Sequence, residues 1–116
     1  VACAAGLAAL ELLEREDRPG RVKALSAHFE AAVHSLRGAR HVLDIRNYGL
    51  AAGFTIAPVA GEPARRPYDI AMACWKKGFY VRYGGDTIQL APPFISEKAE
   101  IERLVNALGD ALAEVA

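Results

Sequence analysis

Residues 79–90, FYVRYGGDTIQL, decide the fold class of this chain. Aromatic and β-branched residues stand on either side of Gly84-Gly85-Asp86, which is the pattern of two short strands joined by a glycine turn. We therefore predict a β-hairpin with strands at 79–83 and 87–90. The pair Pro92-Pro93 follows directly and ends the second strand.

Two further strands are predicted upstream of the hairpin. Residues 41–46, HVLDIR, are short, aliphatic and partly alternating, and residues 54–57, FTIA, have the same character. The connection between them contains Gly49 and Gly53, which we interpret as a bulge or a close approach of backbone.

Helical periodicity accounts for the outer parts of the chain. Leucines spaced three apart at residues 7–13 predict a first amphipathic helix that ends near Asp17, and a second apolar stripe over residues 22–36 is closed by Gly38.

Two more helices are predicted downstream. The third begins at Pro67, carries Cys74 and Trp75 on its apolar face and stops at Gly78, while Ser96 is expected to cap the last. The resulting element order predicts an α+β fold, with a small antiparallel sheet and helices packed mainly on one face.

Length and composition indicate a single globular unit. The chain has 116 residues, of which 53% are hydrophobic and 24% charged, and this balance excludes disorder. Fourteen basic and fourteen acidic residues cancel, so we expect no nucleic-acid or membrane partner. Two distant cysteines, Cys3 and Cys74, favour reduced thiols and a cytoplasmic location.

The chain begins at Val1 and enters its first helix with no Ser, Thr, Asp or Asn as a cap. The first amides of a helix need hydrogen-bond partners. We therefore expect the helix to start upstream and the chain to be a segment of a longer protein.

For most residues of catalytic or metal-binding type in this chain, an ordinary structural role is the better interpretation. His28 and His34 are six residues apart, so they do not share a helix face as metal ligands would. Cys3 and Cys74 stand in apolar helix faces with no base nearby, and we expect both to be buried, inert thiols.

No lysine of the chain is predicted to form a Schiff base, because a nucleophilic lysine needs a desolvated or cation-rich site. All four occupy polar helix positions: Lys23, Lys76, Lys77 and Lys98. We accordingly predict no catalytic, cofactor-binding or metal-binding residue in this chain.

Arg82 is the exception. It lies between Tyr80 and Tyr83 next to a glycine turn, and the planar fork of an arginine matches a carboxylate in two hydrogen bonds. Arg82 is therefore a candidate clamp for a carboxylate ligand, although a solvated sheet edge or a structural ion pair is the more common role for such an arginine.

Several stretches resemble the class III pyridoxal-phosphate aminotransferases. The most specific is 74–87, CWKKGFYVRYGGDT, which resembles the ω-amino acid:pyruvate (β-alanine:pyruvate) branch. Residues 1–14 look like the helix after the cofactor site, and residues 38–50 like the entry strand of the small domain. Residues 91–95 and 101–104 are similar to the closing strand and the final helix.

This resemblance implies that residues 1–116 are a single C-terminal segment of a fold-type I transferase. Residues 1–17 would be the helix leading from the absent large domain, and residues 18–116 the small domain. It implies a homodimer that uses pyridoxal 5'-phosphate to move an amino group from an ω-amino acid or amine to pyruvate, with Arg82 binding the substrate carboxylate. The cofactor lysine belongs to the absent part, so the segment alone should bind no cofactor and be inactive.

Two alternatives stay open. The first is a stand-alone α+β module that binds a carboxylate metabolite through Arg82 and uses no cofactor, and the uncapped Val1 argues against it. The second is another class III branch, such as an ornithine or diamino acid aminotransferase, and the Arg82 hairpin argues against it. The preferred amino donor is left undecided.

Overall fold

A computed structural model describes all residues, 1–116. The elements follow in the order α1 (Ala2–Arg15), α2 (Arg18–His34), β1 (Val42–Tyr48), β2 (Ala51–Ile56), α3 (Arg65–Lys76), β3 (Arg82–Gly84), β4 (Thr87–Leu90) and α4 (Lys98–Glu114). The predicted α+β class and the predicted order of elements are confirmed. None of the four helices has the length and apolar character needed to cross a membrane.

The four strands form one antiparallel sheet in the order β1-β2-β4-β3. Alternate residues of β2 are buried, and Phe54 of this set is paired with the buried Ile88 of β4. Because side chains alternate along a strand, these residues share one face, the inner face. The opposite, outer face carries two rows of paired residues: Arg46, Gly53, Gln89 and Arg82 in one, and Asp44, Thr55, Thr87 and Gly84 in the other.

The core lies between the inner face and the helices α2, α3 and α4. Its fully buried members include Phe29 from α2, Ile70 from α3 and Leu108 from α4. Burying a side chain of this size contributes about 1.5–3 kcal/mol, so these three helices hold the sheet in place. Helix α1 has no buried residue, and Leu7 and Leu10 of its predicted apolar stripe are exposed.

The upstream strands are longer than predicted. The segment expected to connect them is mostly strand, and only Gly49 and Leu50 form the turn, with Gly49 at φ +55°. Pairing across the sheet supplies hydrogen bonds to residues of low strand propensity, such as Ala51 and Ala52, and this overrides local preference. The pairing irregularity lies between Val42 and Asp44 rather than at either glycine.

The first strand of the hairpin is shorter than predicted. The amide of Phe79 donates to the carbonyl of Cys74 and that of Gly78 to Trp75, with Gly78 at φ +87°. These two bonds are the usual glycine-based end of a helix. They occupy the backbone amides of Gly78 and Phe79, so the strand begins only at Arg82.

The starts of two helices also differ from prediction. Helix α3 begins at Arg65, so Pro67 is its third residue rather than its first. Helix α4 is capped by Glu97, not Ser96, because Glu97 and Glu100 form a reciprocal capping box. Ser96 is buried, and its carbonyl accepts a hydrogen bond from Arg21.

Trp75 was expected on the apolar face of the third helix but is 62% exposed. It lies at the margin of the buried stripe, and its ring packs edge-on against Tyr80 with centroids 6.3 Å apart. The second helix likewise ends at His34, before the predicted closing residue Gly38.

Candidate functional site

Arg82 is the first residue of β3 and lies on the outer face, paired with Gln89 of β4. The preceding residue, Val81, is buried, so alternation along the strand directs Arg82 away from the core. The arginine is exposed. Its position therefore allows a ligand to approach it from solvent.

The segment around Arg82 is anchored by aromatic contacts. Tyr83 packs edge-on against Tyr68 of α3, with ring centroids 5.6 Å apart, and Tyr80 packs against Trp75. Pairs of this geometry contribute about 0.5–1.5 kcal/mol each beyond the area that they bury. The strand end that carries Arg82 is thus fixed on both sides of the arginine.

The side chain of Arg82 makes no hydrogen bond or ion pair within the chain, a property that it shares only with the side chain of Arg103 among the arginines. A guanidinium offers five N–H donors in a planar fork. All the donors of Arg82 are therefore available to a carboxylate.

Arg46 stands at the other end of the same row and is bound in place. Its Nη1 lies 2.8 Å from Oγ1 of Thr55 and 3.3 Å from Oδ2 of Asp44, and its Nη2 lies 3.4 Å from Oγ1 of Thr87. Of the two arginines on the outer face, only Arg82 is free. Arg46 is not among the site residues predicted from the sequence, because two of its three partners, Thr55 and Thr87, lie 9 and 41 residues away in the chain.

The outer face is open rather than pocket-like at Arg82. A groove of about 760 Å³ is lined by Phe79, Pro92 and Leu104 among others, and Arg82 does not line it. A dry carboxylate site at Arg82 would need further protein to enclose it.

The lysines do not form a cofactor site. Lys77 Nζ lies 2.6 Å from Oε1 of Glu114, and this hydrogen bond raises the pKa of the lysine, opposite to what a nucleophilic amine needs. The other three, Lys23, Lys76 and Lys98, are exposed. The residues of this chain therefore do not fit a site for pyridoxal phosphate.

The two cysteines differ from each other. Cys74 is fully buried, and burial raises the pKa of its thiol to about 11, as expected for an inert thiol. The prediction that Cys3 is buried is wrong, because α1 buries none of its residues and this thiol is exposed.

Two of the three histidines make side-chain hydrogen bonds. His34 Nε2 lies 2.9 Å from Oδ1 of Asn47, and His41 Nε2 lies 3.0 Å from the carbonyl of Val115. His28 Nε2 lies 3.3 Å from the Glu102 carboxylate, outside hydrogen-bond geometry. No three histidine, cysteine or acidic side chains come together as metal ligands.

The family model for aminotransferase class-III matches residues 1–112. The chain belongs to the class-III aminotransferase family.

Two curated relatives within this family are similar over nearly the whole chain. The omega-amino acid–pyruvate aminotransferase of Pseudomonas putida is 51% identical over 112 residues, which is 97% of this chain and 25% of the relative. The beta-alanine–pyruvate aminotransferase of Pseudomonas aeruginosa is 49% identical over 116 residues, 100% of this chain and 26% of the relative. The chain thus spans about a quarter of the length of these class-III relatives.

Solved structures of transaminases share the fold. An adenosylmethionine-8-amino-7-oxononanoate aminotransferase from Methanocaldococcus jannaschii superposes with a TM-score of 0.88 at 30% identity, over 97% of this chain and 27% of that one. A PLP-bound amine transaminase from an uncultivated Pseudomonas species superposes with a TM-score of 0.86 at 30% identity, and the match covers 99% of this chain and 28% of that one. The α+β architecture of this chain is therefore one found within solved transaminases.

Proposed function

We propose that this chain is the C-terminal small-domain segment of an aminotransferase that transfers an amino group from an ω-amino acid or amine to pyruvate. Residues 1–17 are the helix that leads in from a large domain, and residues 18–116 are the small domain. The observation that carries the proposal is the 51% identity to an omega-amino acid–pyruvate aminotransferase. Because this chain spans only a quarter of that relative, the activity is assigned to the longer protein.

The role proposed for Arg82 is to bind the carboxylate of the substrate. Two features support it: the arginine is exposed at an anchored strand end, and no residue of the chain occupies its guanidinium. A bidentate arginine–carboxylate bond fixes both the position and the orientation of a planar group. Pyruvate and β-alanine each present such a carboxylate, and an arginine without an internal partner is also free to move aside for an apolar amine.

The cofactor of this proposal is pyridoxal 5'-phosphate, which supplies an electron sink when bound. Its binding residues are assigned to the large domain, because the lysines described above are exposed or ion-paired. The part of this chain is to hold and orient the carboxylate of the amino donor or of pyruvate. A homodimer in the cytoplasm completes the proposal, on the strength of the sequence resemblance.

The experiment that tests this proposal uses the full-length protein with pyridoxal phosphate, β-alanine and pyruvate. We expect alanine to form at a rate that saturates with both substrates and requires the cofactor. The 116-residue chain under the same conditions should give none, which is the matched control.

Two other results would contradict the proposal. Activity with 2-oxoglutarate but not with pyruvate would place the protein in another class-III branch. Binding of a carboxylate metabolite by the 116-residue chain, with no turnover by any longer form, would favour a stand-alone binding module.

A further inference from the structure

A chain of side-chain hydrogen bonds crosses the outer face from Arg46 to the turn of the hairpin. Nη2 of Arg46 lies 3.4 Å from Oγ1 of Thr87, and the Thr87 hydroxyl donates to Oδ1 of Asp86 at 2.9 Å. Asp86 lies in the turn that joins the strand of Arg82 to β4. The network therefore ends on the carboxylate nearest to Arg82 in the sequence.

Thr87 is held firmly within this network. Although it belongs to the outer face, only 9% of it is exposed, and its hydroxyl lies 3.4 Å from Nη2 of Arg46. The same guanidinium packs flat on Gly53, where an added Cβ would lie 3.3 Å from Cζ and 3.4 Å from Nε of Arg46. Because Gly53 has no side chain, the Arg46 guanidinium can lie over it and reach the hydroxyls of Thr55 and Thr87.

The carboxylate of Asp86 is exposed and only four residues from Arg82, yet the two form no ion pair. An exposed ion pair is worth little, about 0–1 kcal/mol, so one hydrogen bond from Thr87 is enough to decide where the carboxylate lies. The Thr87 hydroxyl on β4 thus holds the Asp86 carboxylate, while Arg82 lies one pair further along the hairpin, opposite Gln89.

We infer that Arg46 and Thr87 are positioning residues that hold Asp86 away from Arg82 and so keep the Arg82 guanidinium free for a ligand carboxylate. Without the Thr87 hydroxyl, the Asp86 carboxylate competes with the ligand for Arg82. This inference rests on the proposed function of Arg82 and adds the residues that make the arginine available.

The test measures steady-state kinetics of the full-length enzyme with β-alanine and with an amine donor that has no carboxylate. Thr87→Val removes the hydroxyl and keeps the shape of the side chain. We expect it to raise the KM for β-alanine about fivefold with little change in kcat, since the carboxylate is then bound less tightly in the ground state and in the transition state alike. The KM for the amine should stay within about twofold of the wild-type value.

Three further variants distinguish positioning from a general structural defect. Thr87→Ser keeps the hydroxyl and should behave as wild type. Arg46→Lys can reach fewer acceptors and should raise the KM for β-alanine in the same direction as Thr87→Val. In the double variant Thr87→Val/Asp86→Asn the competing charge is gone, and the KM should return to the wild-type value.

Failure of this rescue would overturn the inference, as would an equal rise in KM for both donors. Arg82→Ala serves as the reference, because it should impair the reaction of β-alanine much more than that of the amine donor. If Arg82→Ala impairs only the reaction of β-alanine and Thr87→Val changes the KM of neither donor, the inference alone is wrong. If Arg82→Ala affects both donors equally, the proposed function of Arg82 and the inference both fail.

Discussion

Two cysteines of identical chemistry lie in opposite surroundings in this chain. Cys74 is covered by α4, with Sγ 4.0 Å from the carbonyl of Ala107, and burial raises the pKa of its thiol to about 11. Cys3 lies on the exposed helix α1. Because only the thiolate reacts with disulfide reagents, Cys74 should be protected both by its burial and by its raised pKa, whereas Cys3 is open to the reagent.

We predict that an aromatic disulfide reagent at pH 8 labels one thiol of the folded chain quickly. A thiol with a pKa near 11 is ionised to only about one part in a thousand at that pH, so Cys74 should react no faster than the chain unfolds. The absorbance of the released thiolate measures both rates. Cys3→Ser should remove the fast phase, and two equivalents of fast reaction in the wild-type chain would show that Cys74 is accessible.

At the scale of the elements, local sequence patterns predicted which helices and strands exist but not where several of them end. The hairpin glycines and the leucine stripes are local signals, and all of these elements form. The cap of α4 was missed because Glu97 acts only together with Glu100, whereas Ser96 is the more common cap type.

In the network around Arg46, only the contact with Asp44 joins residues that are close in the sequence. Arg46 lies 9 residues from Thr55 and 41 from Thr87, and only the strand order β1-β2-β4 brings them together. Arg82 could be found in advance because its aromatic neighbours are adjacent in the sequence. That it has no internal partner, in contrast with Arg46, required the folded chain.

The capping box of α4 gives a prediction at this scale. The amide of Glu97 donates to Oε2 of Glu100 at 2.8 Å, and this bond satisfies a donor that is otherwise unpaired at the helix start. Glu100→Ala should lower the free energy of unfolding by about 1 kcal/mol. Urea unfolding at submicromolar concentration, followed by the fluorescence of Trp75, measures the change.

Arg103→Ala is the matched control on the same helix, because this exposed side chain has no hydrogen bond or ion pair. Its effect should stay within about 0.5 kcal/mol. Equal effects of the two variants would show that the capping box contributes nothing specific.

For the molecule as a whole, the surface of α1 is the main departure from a self-sufficient domain. Leu7 and Leu10 are 63% and 60% exposed on one helix face, and no residue of the helix is buried. Contiguous apolar patches on a soluble chain mark surfaces that associate with other protein.

We therefore expect the 116-residue chain to self-associate at micromolar concentration, as measured by light scattering after size-exclusion chromatography. Leu7→Lys/Leu10→Lys should shift it toward monomer, while Glu11→Lys, on the same helix, should not. A monodisperse wild-type monomer would indicate an autonomous domain.

The most direct test of the central claim is the half-reaction of full-length Arg82→Ala with two kinds of amino donor, followed by the change in cofactor absorbance in single turnovers. The loss of a bidentate bond to the β-alanine carboxylate should lower kcat/KM by roughly two to three orders of magnitude, on the order of 3–4 kcal/mol. Arg82→Lys should not restore it, since lysine lacks the planar fork. An amine donor without a carboxylate should lose far less. If Arg82→Ala slows both donors by the same factor, Arg82 is structural and the hairpin does not bind the substrate carboxylate.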